Sequence, residues 1–196
     1  MNRRLAFSLC ALYALCGERS TLFANPPTAS YIFPAGAQQG TSVDVRVGGL
    51  FLHDAPTFEV TGAGIMHTPR LKPAKRVWFE GPILPLPESQ QQEDYPADLQ
   101  GAITVAKDSP TGARRVRLYT AQGAASGPVF VVGTLPEVTE KEVGGEPLPE
   151  TIKLPVTANG RIFPREDIDL WAFDAEAGKT VTAFVHAQAL NSPLVP

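Results

Sequence analysis

The apolar residues of this chain come in short runs that alternate with polar ones, and Pro and Gly break the runs apart. In SVDVRVGGLFL, Val43, Val45 and Val47 fall on one side of an extended chain, with Asp44 and Arg46 on the other. The same alternation returns in TFEVTG, RVWFEG, AITVA, RRVRLYTA and PVFVVG. No window sustains the 3.6-residue apolar period of an amphipathic helix. With 19 Pro and 17 Gly falling between the runs, the chain is expected to be all-β, its short antiparallel strands packed as a sandwich. Pro34-Ala35-Gly36, Gly48-Gly49, the KDSPTG run at 107–112 and the QGAASGP run at 122–128 read as turns or connections.

The amino end has a different character. Arg3 and Arg4 precede an apolar run from Leu5 to Cys16, the pattern of a secretory signal. Small residues set the expected cleavage after Ala24, with Ser20 as the second choice. The run is shorter than the roughly 20 apolar residues that span a bilayer, and no other segment approaches that length. Leu9 and Leu15 precede the two cysteines, where lipid attachment needs a small residue. The mature chain, from residue 25, is therefore expected to be exported (periplasmic, cell-surface or extracellular) without a membrane span. Cys10 and Cys16 both lie in the signal, so disulfides and thiolate chemistry are excluded, and stability must come from buried cores. Loss of Arg3, Arg4, Arg19 and Glu18 takes Lys+Arg from 17 to 14 and Asp+Glu from 20 to 19, a net charge of −5. That balance excludes a general attraction to nucleic acid. The local basic run Arg70, Lys72, Lys75, Arg76 is offset by Glu88, Glu93, Asp94 and Asp98.

Motifs for catalysis are missing. There is no G-x-S-x-G elbow, H-E-x-x-H helix, P-loop or EF-hand loop. His53, His67 and His186 stand far apart, and the adjacent acids Glu93-Asp94 and Glu166-Asp167 point to opposite sides of an extended chain. Two candidate surfaces remain. The stretch GPILPLPESQQQEDYPADLQ, 81–100, reads either as an extended, polyproline-like binding loop or as an ordered crossover between sheets. Together with the aromatics Trp78, Phe79 and Tyr95 it is the expected contact surface for an extracellular polymer, protein or polysaccharide. Glu166, Asp167 and Asp169 offer hard oxygens suited to calcium. Acids at the start of a strand equally accept backbone N–H groups of their own turn, and that structural role is the favoured expectation.

A boundary follows Gly133. TLPEVTEKEVGGEPLPE has acids, prolines and a Gly pair but few apolar residues, so 134–150 is expected to be a linker with one short strand at Glu140 to Val143. Beyond it, PVTANGRIFPREDIDLWAFDAEAGKTVTAFVHAQAL resembles the bacterial pre-peptidase C-terminal domain. The resemblance rests on Val156, Gly160, the D-x-D-x-aromatic-x-F series Asp167, Asp169, Trp171 and Phe173, then Gly178 and the apolar run Thr180 to Val185. It implies a second β-sandwich over 151–196, incomplete because the family pattern continues with further strands, and hence a chain that is part of a longer protein. Some relatives bind calcium or an extracellular polymer. The first series, from YIFPAGAQQGTSVDVRVGGLFL to SGPVFVVG, is similar to immunoglobulin-like modules of the transcription-factor and plexin type. That likeness implies an immunoglobulin-like sandwich over 25–133. Together these features lead us to expect non-catalytic exported modules, the N-terminal part of a surface or extracellular protein, serving adhesion, spacing or substrate targeting. The alternative is an accessory region of a secreted hydrolase, such as a peptidase.

Overall fold

A computed structural model of the chain describes residues 26–53, 55–74, 97–141, 149–161, 168–187 and 190. Thirteen strands and no α-helix are found among them. Nine strands build two sheets. The first holds β1 (Thr28–Phe33), β3 (Ser42–Leu50), β7 (Ala97–Val105) and β5 (Ile65–His67) in the order β1-β3-β7-β5, with β6 (Lys72–Pro73) also on β7. The second holds β2 (Gly36–Gln38), β9 (Gly123–Gly133), β8 (Gly112–Thr120) and β4 (Thr57–Val60) in the order β2-β9-β8-β4. All neighbours are antiparallel except β2 and β9, which run parallel.

Alternation along the strands places the core. Val45 and Val47 of β3, Leu99, Ile103 and Val105 of β7, Phe58 and Val60 of β4, Val116 and Leu118 of β8, and Phe130 and Val132 of β9 are buried in one continuous cluster. Phe58 and Phe130, at 1% and 0% exposure, each contribute roughly 1.5–3 kcal/mol from removing their rings from water. The chain is therefore all-β, with two sheets sharing a core over residues 28–133.

Both lateral margins of this pair of sheets are tied. On one margin the chain itself changes sheets, since β1 belongs to the first sheet and β2, after Pro34-Ala35, to the second. On the other, the stretch between β5 and β6 joins β4. Phe58 N–H donates to Pro69 O at 3.0 Å, Leu71 N–H donates to Pro56 O at 3.1 Å, and Thr57 bridges Arg70. Strand margins left open would template association with other chains.

Two turn expectations need correction. Gly48-Gly49 lies inside β3, not at a turn. A β-bulge at Ser30 sets Ala29 opposite Gly49 and Tyr31 opposite Gly48. The Tyr31 ring then occupies the space a Gly48 side chain would need, and Thr28 O the space at Gly49. Small residues are required there by close approach. Similarly, the connection expected over 122–128 shrinks to a two-residue hairpin, Ala121-Gln122, because Thr120 pairs with Gly123. Ala124, Ala125 and Ser126 are ladder residues of β9, opposite Tyr119, Leu118 and Arg117.

Past Gly133, two short parallel ladders form. β10 (Glu137–Thr139) pairs with β12 (Thr157–Asn159), and β11 (Glu150–Thr151) with β13 (Trp171–Ala172). The strand described in the 134–150 stretch thus starts at Glu137, ahead of the expected Glu140, and residues 142–148 lie outside the described set. The expected strand over Thr180 to Val185 does not form, and Phe184 and Val185 are 79% and 91% exposed. Alternation creates an apolar row, but a ladder also needs a partner, and no described residue supplies one.

The crowding at β3 is testable by substitution. Gly49→Ala is expected to destabilise the protein by about 1–3 kcal/mol, because the blocking atom is backbone. Gly133→Ala, whose methyl meets nothing closer than 3.5 Å, is expected to stay within about 0.5 kcal/mol of the parent. Denaturant midpoints of the two variants measure the difference.

Candidate binding surfaces

The strand registers give the two-sheet unit two poles. Thr28, where β1 begins, lies opposite Leu50, where β3 ends. Ala97 lies opposite Gly49, and the Ala121-Gln122 hairpin tip sits beyond Tyr119 and Thr57. All of these mark the first pole. The second pole collects Pro34-Ala35, Gln39-Gly40, Ala63-Gly64, Lys107 to Gly112, and Gly133. There, buried Ser109 donates its Oγ–H to Ala63 O at 2.9 Å and accepts from Gln39 Nε2 through its carbonyl.

At the first pole a single apolar side chain shapes the surface. Leu52 is fully buried, while its neighbours Phe51 and His53 are exposed and hold φ angles of 56° and 57°. Left-handed backbone costs a non-glycine residue roughly 1–2 kcal/mol. Driving Leu52 into the core returns roughly 1.5–3 kcal/mol, which offsets much of the cost of the two residues, and Phe51 and His53 turn outward. Leu50 and Tyr119 are exposed at the same pole, and Tyr119 Oη donates to Glu59 Oε2 at 2.8 Å across the β4–β8 pair. The expected contact residues Trp78, Phe79 and Tyr95, with most of the 81–100 stretch, lie outside the described residues. The flanking residues Pro73 and Ala97, opposite Leu99 and Gly49, are at this pole.

At the second pole an open cleft of about 230 Å³ lies between Pro34-Gly36, Thr41-Ser42 and Glu137-Thr139. Behind the cleft, Asn159 of β12 bonds to the lining residue Glu137. Its Oδ1 accepts from Ala35 N–H at 3.1 Å, and its Nδ2 donates to Glu137 Oε2 at 2.9 Å and to Val138 O at 3.4 Å. Two residues on, Arg161 N–H donates to Glu140 Oε1 at 2.7 Å, and the Arg161 guanidinium lies 4.7 Å over the Phe33 ring. Burial raises the Glu137 carboxyl above its ordinary 4.5, opposed by the Asn159 hydrogen bond. Sequence reading missed Glu137 and Asn159. Their pairing spans 22 residues and follows no motif.

Of the calcium candidates, Glu166 and Asp167 lie outside the described residues. Asp169 is exposed, and its carboxylate and that of Glu140 both border the space a side chain on Gly160 would take. Among the described residues no three His, Cys, Asp or Glu side chains gather as a metal-binding group, whereas calcium takes 6–8 oxygens. The histidines separate as well. His53 and His186 are exposed, and His67 sets its ring edge-on to Phe58 with centroids 5.6 Å apart. No helix among the described residues is long and apolar enough to cross a membrane. No protein-family model matches the chain, and no curated protein matches it.

The account of Leu52 predicts opposite responses from adjacent residues. Leu52→Ala is expected to lose about 2–5 kcal/mol of stability. Phe51→Asn, which tolerates the left-handed conformation, is expected to keep or raise it. Thermal or urea denaturation of both variants checks this.

Proposed function

We propose that this chain supplies non-catalytic, exported β modules, the N-terminal part of a larger surface or extracellular protein, that space and present a binding surface for an extracellular polymer. One observation carries this reading: the chain enters the two-sheet unit at the first pole, at Thr28, and leaves it at the opposite pole, at Gly133. β9 alone, with 11 residues, covers roughly 35 Å between them. A unit threaded from end to end adds length when joined in series and keeps the loops of its first pole clear of the next module. Phe51, His53, Leu50 and Tyr119 are exposed at that pole, and the stretch bearing Trp78, Phe79 and Tyr95 connects there. Aromatic groups of this kind suit contact with protein or polysaccharide.

Two further features support the assignment. Two mainly antiparallel sheets sharing one core over about a hundred residues suit an immunoglobulin-like module at 25–133. The series Val156, Gly160, Asp169, Trp171 and Phe173 supports a pre-peptidase C-terminal type of domain beginning near residue 151.

Printed arrays of extracellular polysaccharides and matrix proteins, probed with the secreted chain, test the proposal. Binding to one polymer class is expected, and it should weaken on deletion of 81–96, which spares strand β7, or on Phe51→Ser. Binding indifferent to both changes would overturn the choice of surface. Cleavage of a bound polymer would overturn the non-catalytic reading in favour of a hydrolase.

A further inference from the structure

We propose that Asn159, Glu137 and Ala35 form an acid-strengthened latch that holds the β10–β12 ladder against the two-sheet unit. The geometry is a three-way joint. One amide side chain reaches the backbone of the sheet-switching corner through Oδ1, at 3.1 Å from Ala35 N, and the Glu137 carboxylate through Nδ2, at 2.9 Å. The ladder closes behind it, with Thr157 N–H donating to Pro136 O and Glu140 N–H to Asn159 O, both at 2.9 Å. Opening this joint therefore breaks contacts at Ala35, Glu137 and Asn159 together.

The carboxylate sits in a niche made by glycines. A methyl group on Gly36 would lie 3.3 and 3.4 Å from its two oxygens, and one on Gly133 would lie 3.5 Å from Oε1. Its hydrogen-bond donor there is a neutral amide. Among the described residues, the elements packed on it bring no ionisable group. The β1–β2 corner contributes Pro34, Ala35 and Gly36, the end of β9 contributes Gly133, and β12 contributes Asn159. The charged side chains nearby in sequence are engaged elsewhere: Glu140 with the Arg161 N–H at 2.7 Å, Arg161 over Phe33, and Lys141 with Glu150 at 3.7 Å.

A carboxylate partly removed from water, with no cation beside it among the described residues, is better tolerated protonated. The direction of the Glu137 shift agrees: raised by burial, against the lowering effect of the Asn159 bond. An open latch returns the group to water and to its ordinary value of 4.5. Closure therefore binds a proton in the window above 4.5. The stabilisation from protonation is fully present below that ordinary value and is lost as pH rises through the latched value.

Amide hydrogen exchange on the full chain, corrected for the intrinsic pH dependence of exchange, tests the latch. Protection factors at Ala35, Glu140 and Thr157 are expected to be higher near about pH 5 than near about pH 8, on either side of a raised carboxyl. Core amides such as those of β8 should not follow. Glu137→Gln keeps an acceptor for Asn159 and should hold the latch amides at their low-pH protection at both pH values. Asn159→Ala should drop them at both and leave the core unchanged. The proposal is overturned if Glu137→Gln retains the parent's pH dependence, or if Asn159→Ala leaves Ala35 protection intact. A pH response shared equally by latch and core amides also overturns it.

Discussion

The two sheets stay together because their margins are joined by backbone, and the rest of the structure depends on that closure. On one side β1 becomes β2 across a two-residue corner. On the other, Pro69 to Leu71 bond to β4 while β5 and β6 bond to β7. With the margins fixed, the side chains between the sheets have a volume to fill, and Phe58, Phe130, Leu99 and Ile103 fill it without exposure to solvent. The same closure leaves only the poles for variation. The outward turn of Phe51 and His53 at one pole and the Asn159 joint at the other are both built where the ladders end.

Much of the two-sheet unit was legible in the amino-acid order. Alternation identified β3, β4, β7, β8 and β9, and the valines of β3 face the core as their spacing requires. Misreadings arose where a residue answers to a distant neighbour. Gly48-Gly49 has the composition of a turn, yet its smallness serves the Tyr31 ring and Thr28 O across a bulge. Ala124 to Ser126 look like loop residues, yet they complete a ladder whose register is set by a two-residue hairpin. Thr180 to Val185 has the pattern of a strand, but pattern specifies a face and not a partner. Leu52 gave no sign that its burial would place the residues on either side of it in left-handed backbone.

The surfaces were less legible than the core, for a physical reason. Core residues announce themselves by periodicity, whereas Glu137 and Asn159 become a unit only when a parallel ladder brings β12 beside β10. The acids singled out by type were Glu166, Asp167 and Asp169, and of these the described residues include only Asp169, exposed beside Gly160. Among the described residues, the carboxylate whose environment is most altered is the half-buried Glu137, raised by burial and bonded to a neutral amide. Burial, more than clustering, makes an acid chemically distinctive here.

The parallel pairing of β2 with β9 has a mechanical meaning. The chain reaches β2 from the first pole and departs from β9 at the second, and Gly36, Ala37 and Gln38 lie beside Val131, Val132 and Gly133. Tension applied along the chain pulls these two strands past each other lengthwise. Every bond of that ladder is loaded at once, instead of being peeled one after another as at a hairpin end. β10 and β12, also parallel and also traversed in chain order, repeat the shear geometry immediately downstream. A protein strung between two anchored points would meet pulling forces with its ladders in their stronger orientation.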